Sequence, residues 1–145
     1  MNKKLCVLFS VFAIMALASC GNEKTSGNSL DDLDVDLTAL SSTMVYAEVY
    51  NMMTAPESYV GKIVKMHGQF AVYEAEETGL KYFACVISDA TACCQQGLEF
   101  VLSDTSLSYP DDYPTLDTEI TVIGEFQTYL EDGDTYCHLA NSTIL

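Results

Sequence analysis

The chain contains no arginine and no tryptophan, and positive charge is scarce throughout. Six lysines face 21 acidic residues, which gives a net charge of -15 over 145 residues. A protein this acidic is repelled by phosphate backbones and by anionic headgroups, so the composition excludes nucleic acid as a partner. Cations or basic partners complement such a charge. The same charge is also typical of an exposed protein that stays soluble.

The motifs of common enzyme classes are missing as well. No Gly-x-Ser-x-Gly elbow, no Gly-rich phosphate loop and no His-Glu-x-x-His occurs in the sequence. Acidic residues are abundant, so carboxylate pairs arise by chance and do not indicate acid–base catalysis. The sequence therefore predicts a protein that is not an enzyme and that carries no cofactor.

Long hydrophobic runs are limited to the amino terminus. After Lys3 and Lys4, residues 5–18 form an apolar run of fourteen residues that only Cys6 and Ser10 interrupt. A transmembrane helix takes about 20 apolar residues, so this run is too short to span a bilayer comfortably and fits the core of a signal peptide. No second run of spanning length follows.

The apolar run ends in Leu17-Ala18-Ser19-Cys20. This order, with Leu three places before Cys and two small residues between them, resembles the lipobox of bacterial lipoproteins. The resemblance implies that residues 1–19 are cleaved and that diacylglycerol is attached to Cys20. The protein would then be anchored by acyl chains alone, at the extracytoplasmic face of a membrane. The alternatives are an ordinary signal peptide with a chance cysteine and a short uncleaved anchor.

Residues 20–42 are interpreted as the lipidated cysteine and a flexible acidic tether. Gly, Asn, Ser and Thr dominate its first half, and no aromatic residue lies between Cys20 and Tyr46. Such a composition buries too little surface to offset its ordering entropy. The acidic run at residues 31–37 alternates with Leu and Val. Such a run could bind calcium, but the Gly and closing Glu of an EF-hand loop are missing, which favours a solvated linker. Residues 43–145 form the predicted domain.

The domain is predicted to begin with one helix. Thr43 is a candidate N-cap, and Val45, Val49 and Met52 recur at helical spacing until Pro56 ends the pattern.

The pattern then changes to the alternation of a β-strand. Val64, Met66, Phe70 and Val72 lie on one side of the first strand, and Gly68 marks a bulge or bend. Later strands are predicted at residues 81–88, 98–103, 119–128 and 135–141, and Asp-Gly at positions 132 and 133 predicts a hairpin between the last two.

Residues 56–68 and 120–126 resemble the helix-to-first-strand entry and the fourth strand of OB-fold domains, particularly short ones in bacterial envelope proteins. The resemblance spans residues 45–145 and implies a mainly β fold: a five-stranded OB-like Greek-key barrel preceded by a short helix. The stretches that match the second and third strands, Lys81 to Asp89 and Leu98 to Asp104, hold one lysine and three acids. They contain no arginine, whereas barrels that bind nucleic acid use lysine and arginine together with stacking aromatic residues on these strands.

Four cysteines remain after Cys6 is cleaved off and Cys20 is lipidated: Cys85, Cys93, Cys94 and Cys137. Outside the cytoplasmic membrane, four cysteines in a small domain suggest disulfides. An OB-like order places the third strand beside the fifth, so Cys93 or Cys94 is expected to bridge to Cys137. Cys85 alternates with apolar residues, and the alternative interpretation of it is a buried thiol.

Two other readings of the cysteines stay open. Cys93, Cys94, Cys137 and His138 could bind Zn or Cu(I), although neither a C-x2-C nor an H-x3-H pair is present, and the same thiols could serve redox sensing. The leading hypothesis is a lipid-anchored binding lipoprotein whose partner is an envelope protein or a peptide. The alternative is a soft-metal-binding or redox-sensing lipoprotein.

Overall fold

The computed structural model describes residues 32–145, so the predicted signal peptide, Cys20 and the first part of the predicted tether lie outside the described residues. Helix α1 is the longest helix of this region, and 3-10 turns at Leu37–Ala39 and Pro56–Ser58 flank it. The strands are β1 (Val35–Asp36), β2 (Ile63–Glu74), β3 (Lys81–Ser88), β4 (Gln95–Leu102), β5 (Glu119–Glu131) and β6 (Asp134–Ile144), and α1 spans Ser42–Thr54.

Strand β2 closes the sheet into a barrel because it changes partner along its length. Its first part pairs with β5 from Ile63 to Gln69, and its second part pairs with β3 from Gln69 to Glu74. Gly68 lies next to this change, where an added Cβ would come within 2.5 Å of the Val86 carbonyl oxygen. The close approach of two backbones requires glycine there, which confirms the predicted bend.

The barrel follows the order β2-β3-β4-β6-β5 and returns to β2. Strands β4 and β6 are parallel, and the other pairs of long strands are antiparallel. The third long strand thus lies beside the fifth, as an OB-like order requires. The prediction of a mainly β chain with a small five-stranded barrel after a short helix is confirmed.

Alternating apolar residues of the strands fill the barrel, and α1 covers one end. Phe70, Phe100 and Phe126 are fully buried at its centre, and Val49 and Met52 bring the apolar side of the helix onto them. The helix begins one residue before the predicted N-cap Thr43, since Ser41 has the extended backbone of an N-cap. None of the helices in residues 32–145 has the length and hydropathy needed to cross a membrane.

The predicted tether ends too late in the sequence. Val35–Asp36 pairs with β2, and the Asp34 carboxylate accepts a hydrogen bond of 2.8 Å from the Ile63 amide. Leu37 is only 1% exposed and belongs to the core. These residues are therefore part of the folded domain, although their composition alone predicts a linker. Burial of one leucine and a short parallel ladder offset the entropic cost of ordering this segment.

Candidate functional site

A groove of about 860 Å³ runs across the outer face of β3 and β4. The loop between β2 and β3 borders one side, and the turn between β5 and β6 borders another. Ligand sites are typically concave surfaces where a few polar groups converge beside apolar and aromatic side chains, as they do here. The groove is therefore the candidate functional site.

The groove opens because β4 and β6 separate at their amino-terminal ends. Their parallel ladder begins at Glu99 and His138, although both strands start four residues earlier. Strand β6 continues to pair with β5 down to Asp134, so the β5–β6 hairpin projects away from β4 as an arm. Its tip is Asp132-Gly133 with φ values of 52° and 93°, the left-handed backbone of the predicted Asp-Gly turn.

Small residues form the floor of the groove. On β3 the side chains of Ala84 and Val86 face outward, and Gly97 lies beside them on β4. The side chains of Cys85 and Leu98 point into the barrel. At Gly97 an added Cβ would collide with the Cys85 carbonyl oxygen, so the floor cannot carry a larger side chain without displacing β3. A flat floor of this kind lets a ligand approach the strand backbones closely.

Tyrosines form the walls, and carboxylates hold them in place. Tyr82 donates a hydrogen bond of 2.7 Å to Glu131, and Tyr129 donates one to Glu99. Tyr136 stacks on Tyr129 with ring centroids 5.6 Å apart. The two hydrogen bonds, from Tyr82 and Tyr129, join the barrel to the β5–β6 arm. They hold the tyrosine rings in fixed positions beside the opening of the groove.

The lining of the groove is acidic. The described residues that line it include no lysine, arginine or histidine. Five of them carry carboxylates: Glu76, Glu77, Glu99, Glu131 and Asp132. The hydrogen bond to Glu131 raises the pKa of Tyr82 to about 12, and burial together with Glu99 raises the pKa of Tyr129. Both phenols therefore stay protonated at neutral pH and keep donating.

Two of the predicted site residues lie in or near the core. Cys85 is fully buried, and burial raises the pKa of its thiol to about 12, which fits the reading as an apolar packing residue. Cys137 is half-buried at the end of the groove, with its sulfur 4.0 Å from the Met52 carbonyl oxygen. His138 points to the other strand face, where its ring lies 5.0 Å from that of Tyr129.

The predicted bridge from Cys93 or Cys94 to Cys137 is absent, because all four described cysteines are free. Glu99 pairs with His138 in a parallel ladder, so Cys137 is level with Leu98, four residues along β4 from Cys94. That spacing is roughly 13 Å at 3.3 Å per residue, whereas a disulfide needs Cα atoms within about 7 Å. For the same reason Cys137 and His138 do not join Cys93 and Cys94 in one metal site.

The two exposed cysteines instead meet Asp89 in the loop between β3 and β4. The sulfur atoms of Cys93 and Cys94 are 3.5 Å apart, and the Cys93 sulfur is 3.1 Å from Asp89 Oδ2. Hydrogen bonds from Cys93 lower the pKa of Asp89, and the contact with Cys93 raises the pKa of Cys94. Asp89 was not among the predicted site residues, although an Asp that opens a short strand connection is a common acceptor for the backbone that follows.

The chain matches no protein-family model and no curated protein. It is similar to the crystal structure of a "putative nucleic acid-binding lipoprotein" from Klebsiella pneumoniae, with a TM-score of 0.47 and 18% identity. The match covers 80% of this chain and 94% of that one.

This comparison contradicts the exclusion of nucleic acid as a partner, because the similar lipoprotein is named for nucleic acid binding. The exclusion is withdrawn. The exclusion rests on the net charge of the whole chain and on the few basic residues of two strands, but charges more than about 8 to 10 Å from a contact are largely screened at physiological salt. Net charge alone therefore does not decide which partners a particular face accepts.

Proposed function

We propose that this chain is a lipid-anchored binding protein, not an enzyme, and that its groove takes an extended basic segment of an envelope protein or peptide. The observation that supports this most is the groove lined by tyrosines and five carboxylates at the opening between β4 and β6.

The lining favours a positively charged ligand. Glu99 and Glu131 each accept a phenol hydrogen bond, and a carboxylate has further lone pairs with which to accept one from a lysine or arginine. The exposed faces of Tyr73 and Tyr136 suit a cation as well, since a cation over an aromatic ring gains about 0.5 to 1 kcal/mol at exposed sites.

The opening favours an extended backbone. Because the β4–β6 ladder starts only at Glu99 and His138, residues 95–98 and 134–137 present strand edges that this ladder leaves unpaired. A peptide can add to such an edge by main-chain hydrogen bonds while its alternate side chains enter the groove. The flat floor at Gly97 leaves room for it.

The amino-terminal sequence supports an envelope location. Leu17-Ala18-Ser19-Cys20 supports lipid attachment at Cys20. Fourteen residues separate that cysteine from Val35 of β1, a reach of at most about 50 Å. Strand β1 would then lie within that distance of the membrane surface, on its extracytoplasmic side.

The test is the affinity of the full chain for a labelled ten-residue peptide of alternating lysine and serine, measured by fluorescence anisotropy. The variant Glu99→Gln/Glu131→Gln should weaken binding by roughly 5- to 10-fold, because each exposed charge pair is worth up to about 1 kcal/mol. Added salt should weaken it further. The control Glu57→Gln/Asp111→Asn removes two exposed acids outside the groove and should bind as the wild type does.

Two outcomes would overturn the proposal. One is equal affinity for a matched peptide of alternating glutamate and serine. The other is a labelled single-stranded oligonucleotide that binds in the groove and displaces the basic peptide, since nucleic acid would then be the ligand. Circular dichroism of each variant shows that a change in affinity is not a loss of fold.

A further inference from the structure

The loop between β3 and β4 holds two thiols and one carboxylate in a fixed arrangement. The Asp89 amide donates to the Cys94 carbonyl oxygen at 2.9 Å and closes the loop. The Cys93 amide donates to Asp89 Oδ1 at 2.9 Å, which turns the carboxylate towards the sulfur atoms. Thr91 also donates to Asp89, so the carboxylate is held by two residues of its own loop, Thr91 and Cys93.

We infer that Asp89, Cys93 and Cys94 together bind one zinc ion. One ligand atom from each residue lies within 4.8 Å of the other two. Tetrahedral zinc with Zn–S bonds of about 2.3 Å separates two sulfur ligands by roughly 3.8 Å and a sulfur from a carboxylate oxygen by roughly 3.5 Å. The two sulfur atoms are 3.5 Å apart, and the Cys93 sulfur is 3.1 Å from Asp89 Oδ2. Both separations reach the zinc values with shifts of a few tenths of an ångström.

The mixed donor set favours zinc over Cu(I). A linear site with two thiolates needs sulfur atoms roughly 4.6 Å apart, twice the metal–sulfur distance, which is more than one ångström beyond the observed separation. Soft thiolates alone select Cu(I), whereas a carboxylate oxygen beside them suits the borderline zinc ion.

The site has an open position. Three protein ligands leave the fourth corner of the tetrahedron for water or for a group of an incoming molecule. All three residues lie at the surface or close to it, and Gln95, the next residue after Cys94, lines the groove. Binding converts the two thiols to thiolates and releases their protons, so no oxidant or reductant takes part.

The experiment uses the full chain, reduced and then freed of reductant without oxygen. Zinc is titrated against a chromophoric chelator, and Co²⁺ serves as a spectroscopic substitute whose charge-transfer absorption reports thiolate ligands. One ion per chain is expected, with two of the described thiols protected from alkylation. Cys93→Ser and Cys94→Ser should each weaken zinc affinity by roughly 100-fold, and Asp89→Asn by roughly 10-fold.

Cys137→Ser is the matched control, because it removes a cysteine that lies away from the loop. It should keep the wild-type affinity and the full charge-transfer absorption. A fully reduced chain that binds no zinc would overturn the inference. So would zinc binding that survives Cys93→Ser/Cys94→Ser unchanged, since exposed carboxylates would then account for it. Circular dichroism checks that each variant is folded.

Discussion

Replacing Leu37 by alanine should lower the free energy of unfolding by about 2 to 5 kcal/mol. Leu37 is 1% exposed and lies in the core beneath the segment that pairs with β2. Truncating a buried leucine removes its transfer free energy and leaves a cavity that the neighbours fill only partly. The loss is a large share of the 5 to 15 kcal/mol that stabilises a typical domain. Urea denaturation followed by circular dichroism measures it.

Leu33→Ala is the matched control, because Leu33 is 38% exposed and the substitution removes the same atoms at the surface. It should alter stability by less than about 0.5 kcal/mol. A chain that starts at residue 43 should likewise be less stable than one that starts at residue 32, contrary to the boundary drawn from the sequence. If Leu37→Ala and Leu33→Ala are equally mild, residues 34–40 contribute nothing to the fold.

Replacing Cys20 by alanine should abolish membrane retention. The expected effect is all-or-none, because the sulfur of Cys20 is the attachment point for diacylglycerol and the sequence after it contains no run long enough to span a bilayer. Metabolic labelling with a fatty-acid analogue and fractionation of cells measure the result. The wild type should be labelled and found with membranes, and Cys20→Ala should be unlabelled.

Cys6→Ala is the control for this experiment, since Cys6 lies in the same apolar run but has no small residues of the lipobox order before it. It should be labelled and retained as the wild type is. An unlabelled wild-type chain in the soluble fraction would contradict the lipid anchor. Retention of Cys20→Ala would instead support the short uncleaved anchor.

Local patterns predicted most of the barrel. The alternation around Met66 and Phe70 placed β2, and Gly68 marked its bend, because strand geometry and backbone approach act over a few residues. Asp132-Gly133 predicted the hairpin turn for the same reason. Strand ends were less accurate: β5 runs three residues further along the arm than predicted, and β6 runs three residues further at its carboxyl end, where Thr143 and Ile144 pair with Ile123 and Val122.

The sequence by itself determined the helix, the five long strands and the resemblance of Leu17-Ala18-Ser19-Cys20 to a lipobox, because these depend on neighbours in the chain. Only the tertiary structure decided which residues meet. Leu37 reaches the core because β1 pairs with β2, and the groove exists because β4 and β6 part before Glu99. The parallel register separates Cys137 from Cys94, and the loop brings Asp89 to the thiols instead. Such contacts depend on register and loop closure, which residue types alone do not specify.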